Sequence, residues 1–218
     1  MKNLLLASFM MMTCSIWAQS ATGYFDKAMK KAEAGNTKGA IADYTKAISM
    51  NSKFVEAYQN RGVAKYKLND LKGAEADFSK TIELDDMNAD AFTGRANVNY
   101  KLQNYQETVE DCSASLGINP KDYIAYNLRG LAYNKIGDTK NCCKDFTKAI
   151  EIKSDYTFAY NNRASANYKN RDFKAAVNDC NKAIDLNVNY GEAYLNRGIA
   201  KEMLKDFKGA CEDFKKAN

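Results

Sequence analysis

The sequence of 218 residues contains no histidine and only one proline, Pro120. Without histidine, the chain lacks the most common general base, the most common metal ligand and the side chain that titrates nearest to neutral pH. A single proline excludes long proline-rich linkers. The net charge of +5 is small for this length and argues against a nucleic-acid-binding protein. With 45% hydrophobic and 27% charged residues, the composition is that of a folded globular chain.

Long hydrophobic runs are also missing. The main apolar run covers residues 4–13, follows Lys2, and leads to the small residue Ala18. This order is typical of a secretory signal peptide, so residues 1–18 are predicted to be removed by cleavage after Ala18, which leaves a periplasmic or extracellular protein. The run is too short to span a bilayer, which takes about twenty apolar residues. A retained N-terminal helix and a lipoprotein anchored through Cys14 are the alternatives.

From residue 21 onward the sequence repeats every 34 residues without insertions. The six repeats are 21–54, 55–88, 89–122, 123–156, 157–190 and 191–218, the last one truncated. We number the positions within a repeat as places 1 to 34. Repeats of this length indicate stacked supersecondary units that share a continuous core.

Each repeat has the pattern of two helices joined by a short turn. Places 4 and 24 are aromatic or otherwise apolar, and places 20 and 27 carry small residues that let helices approach closely. Place 16 is always Asn or Asp, as expected for the N-cap of a second helix: Asn36, Asp70, Asn104, Asp138, Asp172 and Asp206. The sequence therefore predicts an all-α stack of antiparallel helix pairs over 21–218.

These units resemble the tetratricopeptide repeat. The resemblance covers nearly all of the chain after the predicted signal peptide, with Tyr or Phe in place of the family's usual tryptophan. It implies a right-handed α-solenoid of antiparallel helix pairs that binds protein or peptide partners and has no catalytic activity. The family's usual solvating helix after the last repeat is missing. We therefore expect the surface around Cys211 and Phe214 to be less protected, and to be available for self-association or docking.

Oppositely charged residues recur at places 7 and 23, which can face each other across a hairpin. The predicted ion pairs are Arg61 with Asp77, Arg95 with Asp111, Arg129 with Asp145, Arg163 with Asp179, and Arg197 with Asp213. An arginine ladder that binds phosphate or an anionic peptide is the alternative. We favour ion pairs that set helix register, because each arginine has an aspartate available to neutralise it.

The resemblance places a ligand groove along the first helices. The candidate groove residues are Tyr66, Lys67, Asn97, Tyr100, Lys101, Asn127, Asn134, Lys135, Asn161, Tyr168 and Lys169. Amides can hydrogen-bond an extended peptide backbone, and tyrosines offer contact area with little entropy loss. The lysines would favour acidic segments, although they also suit the last turn of a helix, where cations are stabilised.

Five cysteines lie beyond the predicted signal peptide, and none has metal-ligand spacing. An odd number in an exported chain favours buried free thiols over disulfides, so all five are expected to be apolar packing residues. No catalytic base, metal set or phosphate loop is apparent, and no cofactor is predicted.

The sequence therefore predicts a non-catalytic protein–protein interaction scaffold. We expect it to bind an extended peptide or partner protein in the groove, in cell-envelope assembly or secretion. The alternatives are a structural protein that self-associates through its uncapped C-terminal helix, and an adaptor subunit of an envelope enzyme complex. The expected partner is a protein or peptide, with a homo-oligomer as an alternative, no nucleic acid, and no membrane span after cleavage.

Overall fold

The computed structural model of the chain describes residues 21–217, which form α-helices and connecting turns. The helices are α1 (residues 21–33), α2 (Thr37–Met50), α3 (Val55–Lys67), α4 (Leu71–Leu84), α5 (Ala89–Lys101), α6 (Tyr105–Ile118), α7 (Tyr123–Ile136), α8 (Thr139–Ile152), α9 (Thr157–Lys169), α10 (Phe173–Leu186), α11 (Gly191–Met203) and α12 (Phe207–Lys216). Odd-numbered helices are the first helices of their repeats, and even-numbered helices are the second. The all-α prediction is confirmed. The predicted signal peptide and Cys14 lie outside the described residues.

The helices form two compact units. The described part of unit 1 is residues 21–103, with α1 to α5, and that of unit 2 is residues 104–217, with α6 to α12. Within each unit consecutive helices pack together, as α3 does with α4 and α9 with α10. First helices of neighbouring repeats also touch, α3 with α5 in unit 1 and α9 with α11 in unit 2. Each unit is therefore a stack of antiparallel helix pairs, as predicted for a solenoid.

Second helices begin at the Asn or Asp of place 16. The side chain of Asp70 accepts a hydrogen bond from the backbone N–H of Gly73 at 3.0 Å, and Asp172 accepts one from Ala175 at 3.0 Å. These bonds satisfy amide groups that a helix start leaves unpaired. The same cap stands at the start of α2, α8 and α12, whereas the Asn104 side chain makes no capping bond to α6.

The turn inside each repeat depends on a left-handed residue at place 15. Glycine supplies this conformation at Gly35 and Gly137, with φ of 77° and 86°. Four other residues adopt it with φ of 62° to 65°: Asn69, Gln103, Arg171 and Lys205. A side chain in this region costs about 1 kcal/mol. This cost is offset by packing, because the turn reverses the chain so that the second helix lies against the first.

The core combines small and large residues in matched pairs. Phe146 of α8 is fully buried, and a Cβ atom on Gly130 of α7 would lie only 2.7 Å from its ring. In the next repeat, Ala164 occupies the place of the glycine and Cys180 that of the phenylalanine, and both are buried in one cluster. A larger residue on one helix is therefore matched by a smaller one on the other, as close packing requires.

Candidate functional site

The arginines of place 7 and the aspartates of place 23 lie in contact. Arg61 donates from Nε and Nη2 to the two carboxylate oxygens of Asp77, at 2.9 and 2.7 Å. The same two-bond geometry recurs in three pairs of unit 2: Arg129–Asp145, Arg163–Asp179 and Arg197–Asp213. Asp145 is only 5% exposed, so its charge depends on the arginine. Arg95 lies in unit 1 and Asp111 in unit 2, and their pairing stays a prediction.

Each of these arginines also bonds to the preceding repeat. Arg163 donates from Nη1 to Thr147 Oγ1 at 3.0 Å, and its guanidinium carbon lies 5.8 Å from the centre of the Tyr160 ring. The hydrogen bond to Asp179 raises the pKa of Arg163. Equivalent bonds to place 25 of the preceding repeat join Arg61 to Thr45, Arg95 to Ser79, Arg129 to Ser113, and Arg197 to Asn181. Because the fold uses these donors, the geometry favours structural pairs over an anion-binding ladder.

Repeat 1 departs from this arrangement. Its place 7 is Lys27, and the cation beside Asp43 is Lys31 of place 11, with Nζ 2.6 Å from Oδ2. This is an ion contact without well-directed hydrogen-bond geometry. Lysines at place 11 also reach the aspartates of two other repeats, Lys65 at 2.8 Å from Asp77 and Lys201 at 2.8 Å from Asp213.

The predicted groove residues lie on the odd-numbered helices, whose surface we call the first-helix face. Its asparagines join neighbouring repeats: Asn162 donates to Asn127 Oδ1 at 2.9 Å, and Asn196 donates to Asn161 Oδ1 at 2.8 Å. Asn127 and Asn161 are only 7% and 4% exposed. We call these two bonds the amide ladder. In unit 1, Asn97 donates to the backbone carbonyl of Thr93 in its own helix. The amide ladder therefore holds neighbouring repeats together, whereas the Asn97 amide does not.

Lysines of place 13 contact place 12 of the preceding repeat. The Lys101 ammonium lies 4.3 Å from the centre of the Tyr66 ring in unit 1, a cation–π distance. In unit 2, Lys169 donates to Asn134 Oδ1 at 2.6 Å. All four lysines of this place are exposed: Lys67, Lys101, Lys135 and Lys169. Two of the four lysines predicted to bias the groove toward acidic ligands thus also bridge repeats.

The tyrosines of place 12 are half-buried. Tyr66 packs against the cluster that contains Phe78, and the Tyr168 ring lies 5.4 Å from that of Phe173. Tyr100 is also half-buried. Their replacement by alanine would therefore disturb packing as well as any ligand contact.

Phe158, on the first-helix face of unit 2, belongs to a cluster of exposed and half-buried aromatic rings at the N-terminal ends of α7, α9 and α11. The ring of Phe158 stands 5.8 Å from that of Tyr156 and 5.8 Å from that of Tyr190, and Tyr156 lies 4.9 Å from Tyr123. Phe158 itself is 56% exposed. Burial, together with the nearby Glu192 carboxylate, raises the pKa of Tyr190 to about 12. We call these four rings the aromatic cluster.

Sequence reasoning missed the aromatic cluster because it selected amides, lysines and the tyrosines of place 12, and no residue of place 2. Phe158 and Ile124 stand at place 2 and Leu195 stands at place 5, which are groove places in related repeats, and all three are exposed. An apolar residue at a place that faces solvent is itself a signal of contact. The polar groove residues Asn127 and Asn161 are buried instead.

Four of the five described cysteines pack as expected. Burial raises the pKa of Cys142 to about 12 and that of Cys180 to about 12, and it also raises the pKa of Cys112 and Cys143. The expectation was wrong for Cys211, which is exposed. It occupies place 21, which a following first helix covers in the inner repeats, but no helix among residues 21–217 follows α12.

Sequence profiles described as Tetratricopeptide repeat match residues 25–86, 60–123, 123–156 and 159–190. The chain belongs to the tetratricopeptide repeat family. No curated protein sequence shows significant similarity to it.

Solved structures of tetratricopeptide repeat (TPR) proteins share this fold. PilF of Pseudomonas aeruginosa superposes with a TM-score of 0.78 at 16% identity, over 90% of this chain and 90% of that chain. MamA of Desulfovibrio magneticus RS-1 gives 0.73 at 21% identity, over 77% and 94%. YrrB, described as a TPR protein with an unusual peptide-binding site, gives 0.67 at 22% identity, over 80% and 90%. TPR domains are protein-interaction scaffolds, and this chain has that type of fold.

Proposed function

We propose that this TPR protein is a non-catalytic scaffold that binds an extended segment of a partner protein on the first-helix face of unit 2. The observation that carries the proposal is the exposure of Phe158 between two further rings. Aromatic side chains at such a position offer a large contact area at low entropic cost. Ile124 and Leu195, which are 46% and 45% exposed, extend the apolar surface on the same set of helices.

Hydrogen bonds hold the polar groups at the aromatic cluster in fixed positions. The Tyr190 hydroxyl accepts a hydrogen bond from Asn161 at 3.2 Å and donates one to Glu192 at 3.3 Å. Tyr190 is protonated at neutral pH, and burial raises its pKa further, to about 12. The amide ladder fixes α7, α9 and α11 relative to one another before a ligand arrives. Little ordering entropy then opposes the docking of an extended segment. The exposed ring of Phe158 favours a segment that places an apolar side chain in contact with it.

We further propose that the chain is exported and acts in envelope assembly or secretion. The basic start, apolar run and Ala18 support export, as they are typical of a signal peptide. Among residues 21–217, no helix is long and apolar enough to cross a membrane. The TPR fold and the peptide-binding site reported for YrrB support a role in binding rather than catalysis.

Crosslinking in intact cells, followed by mass spectrometry, tests the binding site. The test variant is Ile124→Ser/Phe158→Ser, and the control is Ile152→Ser, an exposed apolar residue of a second helix. We expect a specific partner that the control retains and the test variant loses. Capture of the same partners by both variants would contradict the site.

The same sample tests export through the N-terminus of the recovered protein. Cleavage after Ala18 leaves Gln19 as the first residue. A protein that retains Met1 would contradict the proposed export, without affecting the result for the first-helix face.

A further inference from the structure

A second surface, distinct from the first-helix face, lies on α12. Six residues line an open cavity of about 330 Å³ there: Glu202, Phe207, Ala210, Cys211, Phe214 and Lys215. Phe207 is 64% exposed, although its counterpart Phe173 in the preceding repeat is half-buried against Tyr168. The same place is thus half-buried inside the stack and open on α12, where place 12 of the repeat is Glu202 rather than a tyrosine.

The inner repeats show what kind of element fills these places. Ala200 at place 10 of α11 packs against Ala176 and Cys180, which occupy places 20 and 24 of the preceding repeat. In unit 1, Val98 at place 10 and Leu102 at place 14 of α5 pack with Phe78 at place 24. The element is therefore a helix with a small apolar residue and, four residues later, a further apolar residue on the same face.

The charge at place 25 adds a third requirement. In the inner repeats this place is Thr, Ser or Asn and accepts a hydrogen bond from the arginine of the following first helix, as Asn181 does from Arg197 at 2.7 Å. On α12 the residue is Lys215, whose ammonium group offers no hydrogen-bond acceptor and carries a positive charge. An incoming arginine would be repelled there, whereas a carboxylate at the same helical position would pair with Lys215.

We infer that α12 binds an acidic amphipathic helix of a partner protein, with Asp or Glu, then Ala or Val three residues later, then Leu four residues after that. These residues correspond to places 7, 10 and 14 of a following first helix. The helix packs its apolar residues against Phe207, Ala210 and Phe214 and places its carboxylate beside Lys215.

A second copy of this chain fits the cavity poorly. The helix that would continue the stack is α1, which carries Lys27 at place 7 and Lys30 at place 10. Lys27 would face Lys215, and Lys30 at place 10 would bring its charge against the apolar residues Ala210 and Phe214, which costs free energy. The partner helix is therefore distinct from α1.

Protection of the exposed Cys211 thiol tests the inference directly. The probes are two alanine-based helical peptides of about 16 residues, long enough to form helix when bound. Both carry Ala and Leu at the inferred spacing, and the residue three positions before the alanine is Glu in one and Lys in the other. Maleimide modification of Cys211 in the purified full chain is followed by peptide mass mapping, which separates it from the other cysteines.

We expect the Glu peptide to slow modification of Cys211 and to bind about twofold to fivefold more tightly than the Lys peptide. In Lys215→Glu the preference should invert. Lys208→Glu makes the same charge change on an exposed residue of α12 that does not line the cavity, and should keep the original preference. Because Lys215 is exposed, its replacement should leave folding intact.

Three results would overturn the inference. They are equal protection by both peptides, no protection by either, and protection that grows with protein concentration alone while sedimentation shows a dimer. The last result would identify a second copy as the occupant. None of them bears on the first-helix face, which is tested separately by the Phe158 variant.

Discussion

In unit 2, the contacts between the two helices of a repeat recur more regularly than the side chains on the first-helix face. Arg129, Arg163 and Arg197 each bond to an aspartate through the same two nitrogen atoms. Place 2 of the first-helix face varies, by contrast: it is Ile124 in repeat 4, Phe158 in repeat 5 and Glu192 in repeat 6. A contact that recurs in every repeat holds the stack together, whereas a side chain present in one repeat can distinguish one partner from another.

The largest expected effect comes from breaking one recurrent pair. Arg129→Leu leaves the Asp145 carboxylate buried without its main cation, and should lower the free energy of unfolding by about 3–5 kcal/mol. Chemical denaturation followed by circular dichroism measures this. Lys135→Leu, which removes an exposed cation from the same helix, should change it by less than about 0.5 kcal/mol. Equal effects of the two variants would contradict a stabilising role for the buried Arg129–Asp145 pair.

The matched core pairs predict a rescue. Cys180→Phe overpacks repeat 5 and should cost about 1–3 kcal/mol, because Ala164 leaves no room for the ring. The double variant Ala164→Gly/Cys180→Phe reproduces the arrangement of Gly130 and Phe146, and should recover part of the loss. Thermal unfolding of the single and double variants compares them. A double variant no more stable than Cys180→Phe alone would contradict the volume argument.

The amide ladder should contribute a smaller amount. Asn196→Ala removes the donor to the buried Asn161 carbonyl, and should cost about 1–2 kcal/mol. Asn60→Ala is a control in unit 1, because that side chain donates to its own helix rather than to a neighbouring repeat. Denaturation midpoints for the two variants measure the difference, and a larger loss for the control would contradict an inter-repeat role.

Acid should weaken the ion pairs in a defined direction. Burial opposes ionisation of Asp213, but hydrogen bonds from Arg197 and Lys201 prevail and lower its pKa from the ordinary value of an aspartate. A carboxyl group whose pKa is lower in the folded state stabilises the fold at pH values above its unfolded-state pKa. This contribution disappears as the pH falls through the folded-state pKa. The melting temperature should therefore fall below about pH 4, and less steeply in Asp213→Asn. An equally steep fall in that variant would assign the acid sensitivity elsewhere.

The smallest effect on stability is expected at the exposed ring. Phe158→Ser should change the free energy of unfolding by less than about 0.5 kcal/mol, because the side chain is largely in solvent. Thermal unfolding beside the wild-type chain measures this. A large loss would assign Phe158 to the core and weaken its proposed role in binding.

Periodicity predicted most of the fold. The Asn and Asp residues of place 16 predicted where second helices begin, since a short polar side chain there can accept from free backbone amides. The charges at places 7 and 23 predicted Arg61 beside Asp77, because antiparallel helices bring these places together. Local spacing suffices for such features, as both partners belong to one hairpin.

The amino-acid sequence alone determined the repeat length, the helix pairs and the charges that face each other within a hairpin. Tertiary structure decided which groove residues remain accessible: it buried Asn127 and Asn161 in bonds between repeats and left Phe158 exposed. It also left Cys211 open on α12, while cysteines at related places are covered. The physical reason is that burial depends on what the neighbouring repeat contributes, and a residue's place in its own repeat does not specify that neighbour.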